Sequence, residues 1–337
     1  NHIDVYEVNT SLKELELSHL DEVLLHHLGK TSEILIFLLG AMTIVEIIDY
    51  FNGFATIKNF IKTKSKKNLL WIFAILAFIL SAIIDNLTAT IVLVTILQKV
   101  ISERNTRLWF AGLIIVSANA GGAWSPIGDV TTTMLWIANK VTTLKLITYL
   151  FIPSLVCMIV PIFIASFLKP FKGEITYNSS QNDEKTHKYG ATMLYLGLSG
   201  IIFVPVFKTV THLPPYVGMM FSLAIIATFA EIFTQAKISM STVSEDSEEM
   251  SHHSPVHKSL SKIEMPSILF FLGILLAVAA LESLGMLFEF AKTLDKIFPN
   301  TDVVVILLGI GSAIIDNVPL VAASIGMFTQ ETDNPLW

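Results

Sequence analysis

Charge is scarce in this sequence. Only 15% of its 337 residues are Asp, Glu, Lys or Arg, against about a quarter in soluble domains, which argues against an ordinary water-soluble globule. Cysteine is nearly absent. The single Cys157 lies in the apolar run PSLVCMIVP, so a disulfide framework and a cysteine-based metal centre are both excluded, and the thiol reads as a small apolar side chain. No basic stripe marks a nucleic-acid surface. The alternating ten-residue segments of a membrane barrel are missing too. Histidines gather at His252, His253 and His257, but no carboxylate or cysteine pattern joins them to hold a metal.

What fills the sequence is hydrocarbon: 53% hydrophobic residues and a mean hydropathy of +0.66. Apolar runs over 34–57, 69–97, 146–168, 217–233 and 303–328 meet or approach the roughly 20 helical residues needed to cross a bilayer core. The fold class that follows is an all-α, polytopic membrane protein. Its divisions are a polar, acidic N-terminal segment over 1–33, a first transmembrane repeat with connecting spans over 34–234, a Ser-rich hydrophilic linker over 235–263, and a second repeat over 264–337. The linker's mixed charge and lack of apolar periodicity predict flexibility.

Within the apolar runs one hexapeptide occurs twice. SAIIDN stands at 81–86 and again at 312–317. A charged side chain at mid-membrane costs about 2.5–3.5 kcal/mol on insertion scales, so two such sites at equivalent positions point to function. A carboxylate can also simply cap a half-helix, where the helix dipole favours it.

Flanking charge suggests how each copy is threaded. Lys58, Lys62, Lys64, Lys66 and Lys67 precede the first, and Lys99, Arg104 and Arg107 follow it. Basic loops stay on the cytoplasmic side, so the segment enters and leaves by one face as a re-entrant hairpin. The second copy has only Lys292 and Lys296 before it, and Glu331 and Asp333 after it. It is expected to dip in from the opposite face, giving two inverted-topology repeats. Between the copies, an apolar helix runs into SANAGGAWSPIGD, and Asp129 with Thr131–Thr133 suits the start of a further helix. That is the pattern of a discontinuous transmembrane helix.

Desolvation favours the neutral carboxyl and a nearby cation favours the charged one, so a carboxylate in a membrane cavity can hold either a proton or a hard cation. Hard cations take oxygen ligands. The proposed cation- and proton-binding residues are Asp85, Asn86, Asp129, Asp316 and Asn317, with Na+ at Asp85 and Asp316. Thr88, Ser117, Asn119 and Thr131 are supporting oxygen donors. Glu46 and Asp49 are three positions apart, hence on one helix face, and either line a proton path or, for Asp49 beside the basic loop, pair with lysine. Glu282 stands in the middle of an otherwise apolar span. Competition of H+ and Na+ for one carboxylate, with alternating access, suffices for antiport.

These residues carry a family resemblance. LLGAMTIVEIIDYFNGF (38–54), SAIIDNLTATIV, SANAGGAWSPIGDVTTTMLW and SAIIDNVPLVAA resemble, in order, the motifs of NhaD-type sodium/proton antiporters. That family belongs to the ion transporter superfamily, with arsenite-efflux and citrate-type carriers. The resemblance runs from Thr31 to Trp337. It implies Na+/H+ antiport, with Li+ as a further candidate cation, in a bacterial-type inner or plasma membrane. It implies no cofactor beyond the transported ions, no nucleic acid, and two inverted halves, each with a re-entrant hairpin and a discontinuous helix. The functional acids of the family fall at Glu46, Asp49, Asp85, Asp129, Glu282 and Asp316.

Two departures stand out. The family carries an apolar segment before Thr31, where this sequence is polar, and it continues past the second hairpin into a broken helix that would fall near position 350. A fragment lacking both ends is therefore expected. An anion carrier of the same superfamily is the nearest rival, but neutral hairpin tips would suit it better than two aspartates. An intramembrane aspartyl protease would use two aspartates sharing a proton. Gly128–Asp129 fits that chemistry, but the Tyr-Asp partner is missing. A purely structural or receptor role leaves the repeated acids unexplained.

Overall fold

Buried positions in the first hairpin segment recur at helical spacing: Leu69, Leu70, Phe73, Ala74, Ala77, Phe78, Leu80 and Ser81. This is the i, i+3, i+4 pattern of one helix face. The structure, a computed structural model, describes residues 3–61, 63–175, 188–235, 254–298, 300–314, 316–328 and 332. Among the described residues all regular structure is helical. In order, the helices are α1 (Ile3–Tyr50), α2 (Lys66–Ser81), α3 (Asn86–Val100), α4 (Arg104–Ala123), α5 (Val130–Ile137), α6 (Thr143–Ala165), α7 (Gly190–Thr211), α8 (Pro215–Gln235), α9 (Pro255–Lys262), α10 (Met265–Ser283), α11 (Met286–Ile297), α12 (Thr301–Ser312) and α13 (Asn317–Met327). A 3-10 helix, Gly53–Phe60, follows α1, and a shorter one, Lys169–Phe171, follows α6.

Among the described residues five stretches are long and apolar enough to cross a membrane: Leu25–Tyr50, Thr143–Ala165, Gly190–Thr211, Pro215–Thr234 and Met265–Ser283. Helix α6 leaves Tyr149, Ile152, Val156, Val160, Phe163 and Ile164 exposed. So long an apolar face is what hydrocarbon, not water, would cover. The polar start of the chain continues as helix into the first span, because α1 runs unbroken to Tyr50.

Two compact units emerge. The larger is built from Phe37–Glu264 and the smaller from Asn1–Ile36 with Met265–Gln330. In the larger unit α4 is central, packing against α2, α3 and α6, while α7 packs on α8 and on the Gly53–Phe60 helix. Lipid tails are as apolar as leucine, so packing in a membrane relies on close approach rather than on hydrophobic burial. The α2–α4 contact shows this in Ala74, Ala77, Ala118, Gly121 and Gly122, all buried, with Phe73 and Phe110 edge-to-face at 6.5 Å. In the smaller unit α10 packs on α13 and α11, and Leu287, Ala291 and Met327 form its buried cluster.

The expected linker over 235–263 contains a helix. Ser254 caps α9, accepting from the His257 amide, and Pro255 occupies its first position, where a missing N–H costs nothing. Helix α9 packs on α8, and Ser254 also donates its hydroxyl proton to Glu231. His257 is exposed on this helix, whereas His252 and His253 lie outside the described residues.

Candidate functional site

The two SAIIDN copies interrupt the helix at equivalent positions. Helix α2 ends at Ser81 and α3 begins at Asn86; α12 ends at Ser312 and α13 begins at Asn317. Each Asp is the N-cap of the following helix. Asp85 accepts from the Thr88 amide at 2.8 Å and from its hydroxyl at 2.6 Å. Asp316 accepts from the Val318 amide at 3.1 Å. The capping expected of a carboxylate here is thus realised in both copies. Asp85 and Asn86 are half-buried, and Asp316 is exposed within its own unit.

The discontinuity in SANAGGAWSPIGD is also present. Helix α4 stops at Ala123 and α5 starts at Val130. Asp129, buried, caps α5 by accepting from the Thr131 amide at 2.8 Å and from the Thr131 hydroxyl. The next two threonines satisfy carbonyls that the break would orphan. Thr132 donates to the Ser125 carbonyl at 2.8 Å and Thr133 to that of Pro126 at 2.9 Å. Irregular backbone at membrane depth survives only with such compensation.

Three glycines bring the two breaks together. A Cβ on Gly121 would lie 2.2 Å from the Phe78 carbonyl oxygen, one on Gly122 2.4 Å from that of Gly128, and one on Gly128 2.4 Å from that of Ser81. The end of α2 therefore crosses the α4–α5 break backbone against backbone, where any side chain would hold the strands of chain apart. Beside this crossing the Ser81 hydroxyl is fully buried and has no partner.

Asn86 closes the arrangement. Its side-chain amide donates to Asn119 Oδ1 and to Asp129 Oδ2, both at 2.9 Å. One residue thus ties the hairpin tip to the cap of the broken helix. Asn86, Asn119, Asp129 and Thr131 form one hydrogen-bonded group across the two breaks, and the Asp85–Thr88 cap adjoins it through the chain at Asn86. Ser117 lies two residues before Asn119 on α4, buried, its hydroxyl donating to the Leu113 carbonyl at 2.8 Å.

The other acids lie elsewhere. Glu46 is half-buried near the end of α1 and Asp49 is exposed. Asp49 pairs with Lys262 of α9 at 3.6 Å, both side chains more than half exposed (53% and 55%), and such a pair contributes little to stability. The lysine partner comes from α9, not from the neighbouring basic loop. Glu282, Asp316 and Asn317 belong to the smaller unit. Glu282 is not mid-span: α10 ends one residue later, and Gly285 then turns the chain with φ 71°, the left-handed helix stop for which glycine is suited. The Glu282 carboxylate lies against α13, with Oε2 3.4 Å from where a Gly326 Cβ would be.

Two features were not singled out from the sequence. From the sequence the crossing glycines mark only the helix break itself, not the close approach of α2 to it. Lys208, a lone cation in the run IIFVPVFKTV, donates to the carbonyl of Trp136 on α5; its isolation among apolar residues was the available signal.

Comparison with known proteins places the chain. Residues 23–337 match the family described as citrate transporter. The chain is 42% identical over 326 residues to sodium/proton antiporter 1 of Arabidopsis thaliana, covering 96% of this chain and 54% of that protein. It is 36% identical over 338 residues to sodium/proton antiporter 2 of the same plant, covering 98% and 76%. To the Na+/H+ antiporter NhaD of Vibrio parahaemolyticus it is 32% identical over 322 residues, covering 90% and 75%. It thus spans about half the length of the first of these relatives and three quarters of the other two. Family and relatives alike are named as transporters rather than enzymes. With its apolar spans, the chain is a multi-pass integral membrane protein, and it belongs to the NhaD-type sodium/proton antiporters within the citrate-transporter family.

Proposed function

We propose that the full-length protein exchanges Na+ for H+ across the membrane, with Asp85 and Asp129 as the carboxylates that alternately hold cation and proton in the larger unit. Asp316 and Asn317 play the corresponding part in the smaller. The observation that carries this reading is Asn86 bridging the hairpin tip to the buried Asp129. Two helix N-termini meet there, and alone they would attract an anion. Both are already occupied by aspartates, so a citrate-like substrate would meet negative charge, whereas a cation would be welcomed. The names of the relatives favour the same choice. Li+, a smaller hard cation with the same taste for oxygen, is expected to be carried as well. The opposed flanking charges of the two SAIIDN copies favour hairpins entering from opposite faces, as an inverted repeat requires.

The test is exchange in proteoliposomes containing the full-length protein. Na+ should drive proton movement, and Asp85→Asn and Asp316→Asn should each abolish it. Asparagine also caps helices well, so the helix starts survive while the charge is lost. Because the ligand must be deprotonated to bind cation, lowering pH should raise the apparent KM for Na+. Where one proton competes with one Na+, the rise approaches about tenfold per pH unit. Exchange that survives both substitutions, or a KM indifferent to pH, would overturn the reading.

A further inference from the structure

Helix α5 is short, eight residues or about 12 Å, and it carries Asp129 at its N-terminal end. Whatever fixes its other end also fixes that carboxylate. The C-terminal end is held by an unusual set of contacts. Trp136 is buried, 1% exposed, and meets Phe37 of α1 edge-to-face at 6.3 Å. Its carbonyl already accepts from the amides of Ala138 and Asn139, the latter in the left-handed conformation at φ 54°. To this carbonyl Lys208 of α7 adds a third donor: its Nζ lies 2.6 Å from the oxygen. The same ammonium stands over the Trp136 indole, 4.5 Å from the ring centroid.

One cation thus grips both the backbone and the ring of a single residue. It does so at the negative end of the α5 dipole, where positive charge is favoured. The lysine is half-buried and lies in the last turn of α7, a helix whose main packing partners are α8 and the Gly53–Phe60 helix rather than α5. The clamp therefore joins α5 to a separate group of helices. Opposite charges sit at the two ends of α5, Asp129 at the positive end and Lys208 at the negative.

We propose that Lys208 is a positioning residue for cation exchange, holding α5 by Trp136 so that Asp129 stays at the depth and orientation that Asn86 requires. The proposal rests on the antiport reading above. A lysine near a helix end can also serve merely to reach the headgroup region; in that case its loss would leave cation affinity untouched.

The experiment compares Lys208→Met and Lys208→Arg in the full-length protein in proteoliposomes, reading Na+-driven proton movement over a range of Na+ concentrations. Methionine keeps the apolar stem but removes charge and donors; arginine keeps charge, donors and stacking on the indole. Methionine should raise the apparent KM for Na+ about tenfold, the factor expected when a charge-assisted hydrogen bond that orders the site is lost, with a smaller effect on the maximal rate. Arginine should restore KM to near the wild-type value. A wild-type KM in Lys208→Met overturns the proposal, as does a loss confined to maximal rate that arginine does not rescue. If Lys208→Met is not recovered in the membrane, Lys208→Gln, which keeps a donor without the charge, is read by the same criteria. Absence of exchange in the wild-type protein would instead sink the antiport reading, so the two failures are told apart.

Discussion

Asn86 is the residue on which the arrangement turns, because its two donors are both spent on the neighbouring break. Removing them leaves the buried Asp129 with an unmatched oxygen, and a lost bond to a charged group costs about 1.5–3 kcal/mol. Asn86→Ala is therefore expected to weaken cation binding by about one order of magnitude or more, read as a raised KM for Na+. The capping bonds of Asp85 with Thr88 do not involve Asn86 and should persist, so α3 should still start at its present place. Asn86→Asp is the sharper comparison. It substitutes a second carboxylate facing Asp129, and like charges at such distance repel. Its exchange should be poorer than that of the alanine variant. An Asn86→Ala protein with unaltered KM would show that the bridge does not serve the ion.

At the scale of elements, the crossing of α2 with the α4–α5 break depends on missing side chains. A methyl on Gly122 would be driven into the Gly128 carbonyl, and one on Gly128 into that of Ser81. The obstacle is backbone in each case and cannot swing aside. Gly122→Ala and Gly128→Ala should each destabilise by about 1–3 kcal/mol, the usual cost of overpacking. Gly112→Ala on the same helix α4 is the control, since nothing lies within 4 Å of its Cβ position and alanine favours helix over glycine by up to about 1 kcal/mol. Thermal aggregation of the purified protein checks all three: the first two should aggregate at lower temperature, the control at the same or a higher one. Equal behaviour of all three would contradict the tight crossing.

Much of this element level was legible beforehand, because each break carries its own chemistry. Aspartates suited to helix N-caps placed the starts of α3, α5 and α13, and the Gly-Ser-Pro stretch placed the end of α4. Other features were not legible, for reasons of tertiary structure. No local pattern says that Gly122 faces Gly128, that Thr132 reaches back to Ser125, or that Asp49 meets Lys262. Gly285 could have warned that the span carrying Glu282 ends early, yet an apolar sequence on both sides of it, ESLGMLFEF, masked the turn. The helix α9 was hidden by polar composition, although Ser254-Pro255 is a proper helix start.

For the whole molecule, the duplicated hexapeptide poses a question of topology that labelling can answer. Both copies end one helix at their serine and begin the next at their asparagine behind a capping aspartate, so the repeat is structural as well as textual. The charges around it differ, and basic residues resist translocation. Ser102, exposed between α3 and α4, stands beside the basic flank of the first copy, and Lys296, exposed in the last turn of α11, precedes the second. In a Cys157→Ser background, Ser102→Cys should react with a membrane-impermeant maleimide only from the cytoplasmic face. Lys296→Cys should react only from the opposite face. Neither position takes part in the hydrogen-bonded group around Asn86, so Na+ exchange should continue in both proteins and certify that the labelled molecules are folded. Labelling of both cysteines from one face, in proteins that still exchange, would mean that the two hairpins enter from the same side. The aspartates would then be copies in sequence and local geometry but not related by inversion.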